Sequence, residues 1–308
     1  IIAYFSVMMI CAWLFVPRFL PFIWIFTGFL AVFCFFYFGS IISALWADIS
    51  PKSFQKKLFI NALTIRIIYV IIIYFFYEAK TGMPFEFNAG DAFGYHGEGQ
   101  YIVKLFESGS LDYYFRHYLE GHSDAGWPLI LAFIYQFSFN SIMVVRLINA
   151  LVSAWMVVLI YKICQRNFGE RAARISAVMA MLLPAFIYYS GLHLKETFMI
   201  FLLIAFMERS DYLLHSRNFI LGDILKVIFL GASLFFFRTV LAAAAWFALF
   251  STLLLSSEKL MSQYRRFVVI SWLMVGALFV FSGSIYQEIA GYMGMRKSNQ
   301  EERYQFFS

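Results

Sequence analysis

Apolar residues in this chain do not alternate with polar ones. They come in long unbroken runs separated by short polar stretches, at about 1–16, 20–46, 58–77, 142–163, 172–190, 196–207 (running on towards 214), 219–237, 240–256 and 267–283. A helix of roughly 20 apolar residues spans the hydrocarbon core of a bilayer. The pattern therefore predicts an all-α polytopic membrane protein with about nine transmembrane helices. Strands are excluded, because an open sheet edge in lipid leaves its backbone groups unpaired and no period-2 barrel pattern appears. A shorter apolar run at 127–140 is expected to dip into the membrane and return, or to lie along its interface. Within the long polar stretch 78–126, amphipathic helices are predicted at about 97–108 and 111–119. In the first, Tyr101, Ile102, Leu105 and Phe106 share one face at helical spacing, as in a helix lying on a membrane surface.

Charge orients the spans. Lys52, Lys56 and Lys57 cluster in one connection, Lys162, Arg166, Arg171 and Arg174 in another, and Lys259, Arg265 and Arg266 in a third. The excess of Lys and Arg in cytoplasmic loops places all three inside. Alternation then puts 78–126, the junctions near 191–196 and 237–240, and the segment after 283 outside. The chain divides into N-terminal transmembrane helices (1–77), an outer, periplasmic-type loop with its short re-entrant or interfacial segment (78–141), a transmembrane core (142–283) and an outer C-terminal segment (284–308). Of the 308 residues 62% are hydrophobic, 21% aromatic and only 14% charged. Soluble domains carry about 25% charged residues, so a water-soluble enzyme, a disordered chain and a disulfide scaffold are all ruled out. Cys11, Cys34 and Cys164 sit in or beside apolar runs without paired spacing and read as apolar fillers. The net charge of +6 follows from the loop lysines and arginines and implies no nucleic acid. The chain opens on Ile1 inside an apolar run, and both termini are expected to be incomplete.

Polar residues gather at three outer places. Asp91 follows Gly90 in the stretch running on through Tyr95 and His96. A carboxylate there can take a proton from a hydroxyl, or cap a helix, or both. Lys195 and Glu196, in His193-Leu194-Lys195-Glu196, sit between two spans; Glu196 suits a helix start, and Lys195 can pair with it or hold a phosphate. Arg238, after Phe235-Phe236-Phe237, either snorkels to headgroups or grips a phosphate with its planar fork. Four histidines, His96, His117, His122 and His193, are also on this side, at no spacing typical of a metal site. With Asp91 and Glu196 they offer a divalent metal ion as the one cofactor to consider.

The order of these features resembles the GT-C membrane glycosyltransferases, in the branch of protein O-mannosyltransferases and lipid A aminoarabinose transferases. The resemblance runs from Asp91 to about Leu254. It rests on Gly90-Asp91 with Tyr95-His96, then Leu105 to Leu111 with Gly109, Gly126-Trp127-Pro128, Arg146-Leu147-Ile148-Asn149-Ala150, Arg166-Asn167-Phe168-Gly169, Pro184 with Tyr188-Tyr189-Ser190, Glu196, and Arg238-Thr239. The chain departs from that branch in carrying Ala92 where many relatives have a second acid, Trp127 in place of the first of two prolines, and Asp124-Ala125 where some carry lysine. The two spans before residue 50 have no counterpart, and relatives continue past the point where this chain stops.

The resemblance implies a GT-C-like fold and a glycosyltransferase acting on the outer face of a bacterial inner membrane. The donor would be a sugar on a polyprenyl phosphate, the acceptor a lipid, glycan or protein hydroxyl. Asp91 would be the catalytic base. Arg238 and Lys195 would meet the phosphate, Glu196 would orient the acceptor, and Tyr95 and His96 would line the site. An outer-surface polysaccharide polymerase or ligase is a second enzyme reading. A transporter or flippase is the reading from another class, weakened because transporters place polar groups near the bilayer midplane, whereas here they gather at one face.

Overall fold

The computed structural model describes residues 22–87, 89–117, 125–216 and 221–255, together with Ser6. The expected spans at 1–16 and 267–283, the third basic cluster and His122 lie outside the described residues. Every regular element described is a helix: α1 (Phe22–Leu45), α2 (Pro51–Thr81), α3 (Gly90–Glu107), α4 (Leu111–His117), α5 (Gly126–Ser138), α6 (Ile142–Leu182), α7 (Pro184–Ser190), α8 (Glu196–His215), α9 (Leu221–Phe235) and α10 (Thr239–Leu255). Contacts divide the chain into two units, 1–243 and 244–308. In the second, the described residues continue α10, with Trp246 and Phe250 stacked 5.5 Å apart.

Local chemistry sets the boundaries. Ser50 caps α2 by accepting from the Ser53 amide, with Pro51 in the first helical turn. Gly82 closes the same helix at φ 75°, a left-handed cap that glycine adopts without a side-chain penalty. Ser141 caps α6 through the Val144 amide. Gly169, at φ 81° and ψ 174°, breaks α6 into two arms.

The arms run back along one another. Tyr161 donates to the Glu170 carboxylate at 2.8–2.9 Å, Ser153 Oγ to the Phe186 carbonyl at 3.4 Å, and Asn149 Nδ2 to the Leu192 carbonyl at 3.2 Å. The two partners separate steadily in sequence, as in an antiparallel hairpin. α2 packs along this hairpin: Phe54, Leu58 and Ala62 share a buried cluster with Ala154, Val157, Tyr161, Ala173, Ala177 and Met181. At the middle of α2, fully buried Arg66 donates to Ser153 Oγ at 2.7 Å, to its own helix at Ala62 O (3.0 Å), and to the Met181 carbonyl at 3.3 Å. Met181 stands beside the helix break at Leu183–Pro184, where carbonyls lose their intrahelical donors. Arg66 thus serves a carbonyl in the last turn of α6, left open because the helix ends at Leu182.

Both described basic clusters lie at one end of this bundle. There Arg174 donates to the carbonyls of Trp46, Ala47 and Ile49 at 2.5–2.7 Å, closing the end of α1, and pairs with Glu170 at 2.6 Å. Arg166 pairs with Glu208 and Asp211 of α8 at 2.9 and 2.8 Å, tying the end of α8 to the Gly169 turn. α8 therefore begins, at Glu196, at the opposite end.

Three described helices are long and apolar enough to cross a membrane: α1 over Gly28–Leu45, α2, and α6. The other runs fall short for specific reasons. Pro184 divides the run at 172–190, α8 carries Glu208, Arg209 and Asp211, and α9 and α10 have 15 and 17 residues. α5 has 13 residues, about 20 Å at ~1.5 Å per residue, too short for a span. It packs against α3, where Gly99 meets Leu131 and Tyr135.

Candidate functional site

The end of the bundle away from the basic clusters holds the singled-out residues. α3 begins at Gly90, seven residues before the expected start, and its cap position is Ala89, whose side chain makes no cap bond. Asp91 is therefore not the cap. It is an exposed carboxylate in the first turn, where the helix dipole favours a negative charge. The expected apolar face of this helix turns only in part into the protein. Ile102 is buried, while Tyr101 and Phe106 are exposed; the packed ridge runs Ala92, His96, Gly99, Ile102. The reason is Gly99. A Cβ there would sit 3.0 Å from Leu131 Cβ and 3.1 Å from the Tyr135 ring, so α3 meets α5 on the glycine's side.

Tyr95 and Lys195 come together. The Lys195 ammonium lies 5.6 Å from the centre of the Tyr95 ring, and Lys195 is buried at 7% exposure. Tyr95 is one helical turn beyond Asp91 on α3. Glu196 opens α8 and has one carboxylate oxygen, Oε2, buried without a hydrogen-bond partner.

His96 belongs to a hydrogen-bonded chain. Its Nδ1 lies 2.6 Å from the Tyr135 hydroxyl, and that hydroxyl lies 3.1 Å from His193 Nε2. His96 Nε2 is 3.1 Å from Gln100 Nε2. Burial lowers the pKa of His96. Burial, with smaller contributions from His96 and Arg146, pushes His193 down to about 3. Both rings are neutral at pH 7. The chain links three elements: α3 carries His96, α5 carries Tyr135, and the 191–195 junction carries His193.

Arg238 lies on the turn between α9 and α10, exposed, with no side-chain partner among the described residues. Its neighbours fix the turn. The Gly126 amide donates to the Phe236 carbonyl at 2.8 Å, Phe237 stacks on Phe198 at 6.1 Å, and Phe198 meets Trp127 at 5.9 Å. Since Phe198 follows Glu196 by two residues, the Arg238 turn and the start of α8 share one aromatic wall.

The structure thus gathers Tyr95, His96, Lys195 and Glu196 around the 191–196 junction, with Asp91 one turn from Tyr95 and Arg238 on an adjoining turn. Sequence reasoning passed over Tyr135, which stands in an apolar helix with nothing to mark it, and met Trp127 only as a departure from the resembled branch. It also passed over Arg66, whose signal was present: it is the single charged residue in the run 58–77. Arg146 is fully buried, donates to the Pro84 carbonyl, and lies over the Tyr74 ring at 5.8 Å. Among the described residues no group of three or more His, Cys, Asp or Glu side chains is placed to hold a metal ion.

No curated protein and no solved structure matches the chain. The model of the Alg9-like mannosyltransferase family matches residues 117–288. That segment holds Lys195, Glu196 and Arg238 and begins after Asp91, Tyr95 and His96. The branch suggested by the motif order is not the family matched, but membrane glycosyl transfer is common to both, and the transport reading falls with the match. Since the matched segment is more than half of a chain built from membrane-length apolar helices, the chain belongs to the Alg9-like mannosyltransferase family and is an integral-membrane glycosyltransferase.

Proposed function

We propose that this protein moves a sugar from a polyprenyl-phosphate-linked donor to an acceptor hydroxyl, at the end of the bundle remote from the basic clusters. The observation that carries the reading is the meeting of Tyr95 with Lys195 beside Glu196, at the edge of a membrane helix bundle of a glycosyltransferase family. The family's name makes mannose the first sugar to test.

In this reading Asp91 is the base. Its exposed carboxylate takes the acceptor's hydroxyl proton as that oxygen attacks the anomeric carbon. The bond from that carbon to the phosphate oxygen breaks, and polyprenyl phosphate leaves with the electron pair. One displacement through an oxocarbenium-like state inverts the anomeric centre. Lys195 and Arg238 stabilise the charge that grows on the leaving phosphate. Glu196 orients the acceptor, and Tyr95 and His96 line the site. The lipid tail lies in the bilayer, and α3 and α4 exclude water from the reacting sugar. The chain crosses the membrane about nine times, counting runs 1–16 and 267–283. The site faces the periplasm across a bacterial inner membrane, and the acceptor is a lipid, glycan or protein.

The test is transfer by purified protein from a panel of radiolabelled polyprenyl-phosphate sugars, with Asp91→Asn beside the wild type. Loss of a positioned base costs about 10²–10⁴-fold in rate. A drop of that size, with donor binding and melting temperature retained, is the expected result. Equal rates in the two proteins would remove Asp91 as the base.

A further inference from the structure

The hydrogen-bonded chain through Tyr135 ends in the protein's interior at an atom with nothing to bond. Gln100 Nε2 is a donor only, so His96 Nε2 accepts from it and His96 carries its proton on Nδ1. That N–H donates to the Tyr135 oxygen at 2.6 Å. The phenol's one proton then goes to His193 Nε2 at 3.1 Å. His193 is neutral, so its remaining proton is on Nδ1, and Nδ1 is buried without a partner. If the amide of Gln100 is turned over, the chain reverses and Nδ1 becomes an equally unpartnered acceptor. Either way the last atom of the relay is left open by the protein.

His193 is not alone. The indole Nε1–H of Trp127 and the Nε–H and Nη1–H of Arg146 are also buried without partners, as are the acceptors Asn149 Oδ1 and Glu86 Oε2. His193, Trp127, Arg146 and Asn149 are each fully buried. The Trp127 ring lies 6.4 Å from that of His193; Asn149, three residues after Arg146 on α6, donates to the carbonyl of Leu192, the neighbour of His193, at 3.2 Å, and Arg146 itself donates to the carbonyl of Pro84, two residues before Glu86. Phe85 packs on both His96 and His193, at 5.6 and 5.8 Å. Buried polar groups are almost always hydrogen-bonded, and a cluster of exceptions calls for a ligand or water. Neutral donors and acceptors mixed together, with one cation offset by one carboxylate and aromatic rings alongside, suit a neutral polyhydroxyl better than a phosphate.

We infer that this cluster is the subsite for the hydroxyls of the transferred sugar, with His193 Nδ1–H, set by the Gln100–His96–Tyr135 relay, as the donor that reads one of them. The inference rests on the proposed function and adds to it the place where the sugar is recognised. His193, Trp127 and Arg146 are its binding groups, and Tyr135 and His96 are positioning residues.

The test uses the full chain in lipid nanodiscs and two probes, a short-chain polyprenyl phosphate carrying mannose and the same polyprenyl phosphate without sugar. The wild type is expected to bind the sugar-bearing probe at least about tenfold more tightly, the worth of roughly one good hydrogen bond to a charged or buried partner. His193→Phe abolishes that preference and leaves affinity for the sugar-free probe unchanged. Tyr135→Phe, which removes one hydroxyl and no ring volume, reduces the preference several-fold; should His193→Phe fail to fold, this variant decides. A preference kept whole in a folded His193→Phe or Tyr135→Phe protein overturns the inference, as does equal binding of both probes by the wild type, which leaves the proposed function standing. Binding of neither probe by the wild type overturns both.

Discussion

His193 is sealed from solvent beside a second histidine and a buried arginine, and every one of these surroundings opposes its protonation. The unfolded chain takes up that proton near pH 6.5, the folded protein only near pH 3. Between these values the unfolded state holds more protons, so stability rises with pH and falls as the solution is acidified. The loss begins just below pH 6.5 and costs about 1.4 kcal/mol per pH unit. Melting temperature measured in detergent from pH 7 to 4 should therefore fall steeply in the wild type. In His193→Gln, which keeps a polar side chain without a titrating ring, the slope should be visibly shallower, although His96 retains a smaller part of it. An identical slope in both proteins would mean that some other group governs acid sensitivity. How much of this neighbourhood the sequence discloses depends on the residue. Lys195, Glu196 and Asp91 stand out because ionisable side chains beside membrane spans are costly and rare. Tyr135 and Trp127 do not, because aromatic residues are abundant in this chain and only the fold shows which ring faces a histidine.

Four glycines, Gly90, Gly94, Gly97 and Gly99, explain why α3 reads as starting later than it does. Glycine costs about 1 kcal/mol in a helix interior relative to alanine, so local preference ends the helix near residue 97, and packing of Ala92, His96 and Gly99 carries it back to Gly90. The glycines are not equivalent. A Cβ at Gly97 meets nothing within 4 Å, whereas at Gly126 it falls 2.8 Å from the Phe236 carbonyl oxygen, which is backbone and cannot swing aside. Gly97→Ala should raise the melting temperature, by the equivalent of about 0.5–1 kcal/mol. Gly126→Ala should lower it by the equivalent of about 1–3 kcal/mol, the usual cost of overpacking, because α5 must lift from the Arg238 turn. A neutral Gly126→Ala protein would show that the two elements are not held in contact. α2 and the two arms of α6 were easier to read, since each carries a long apolar run, at 58–77, 142–163 and 172–190. The hinge at Gly169 was legible too, as a basic Arg-Asn-Phe-Gly turn. Arg66 carries a signal as the single charged residue of its run, but the carbonyl it serves, in the last turn of α6, shows only in the fold.

The hydrogen bonds joining 149 to 192, 153 to 186 and 161 to 170 order the bundle from one end to the other, and they separate its charges. Lys52, Lys56 and Lys57 share an end with the Gly169 turn, while Asp91, Tyr95, Lys195 and Arg238 lie at the opposite end. That separation follows from geometry and is independent of the rule that basic loops face the cytoplasm. The rule adds only which end is inside. Lys52, Lys56 and Lys57 at the α2 start and Lys162, Arg166, Arg171 and Arg174 about the Gly169 turn all count towards that orientation, ion-paired or not. In a protein with Cys11, Cys34 and Cys164 replaced, Ser108→Cys should react with a membrane-impermeant maleimide in intact cells, and Lys52→Cys only after the membrane is opened. Both positions are exposed, so a failure to label reflects the side of the membrane and not burial. The reverse pattern would put the site in the cytoplasm. The glycosyltransferase family would be unaffected, but the donor would have to be presented from the inner leaflet, and an acceptor outside the cell would be out of reach.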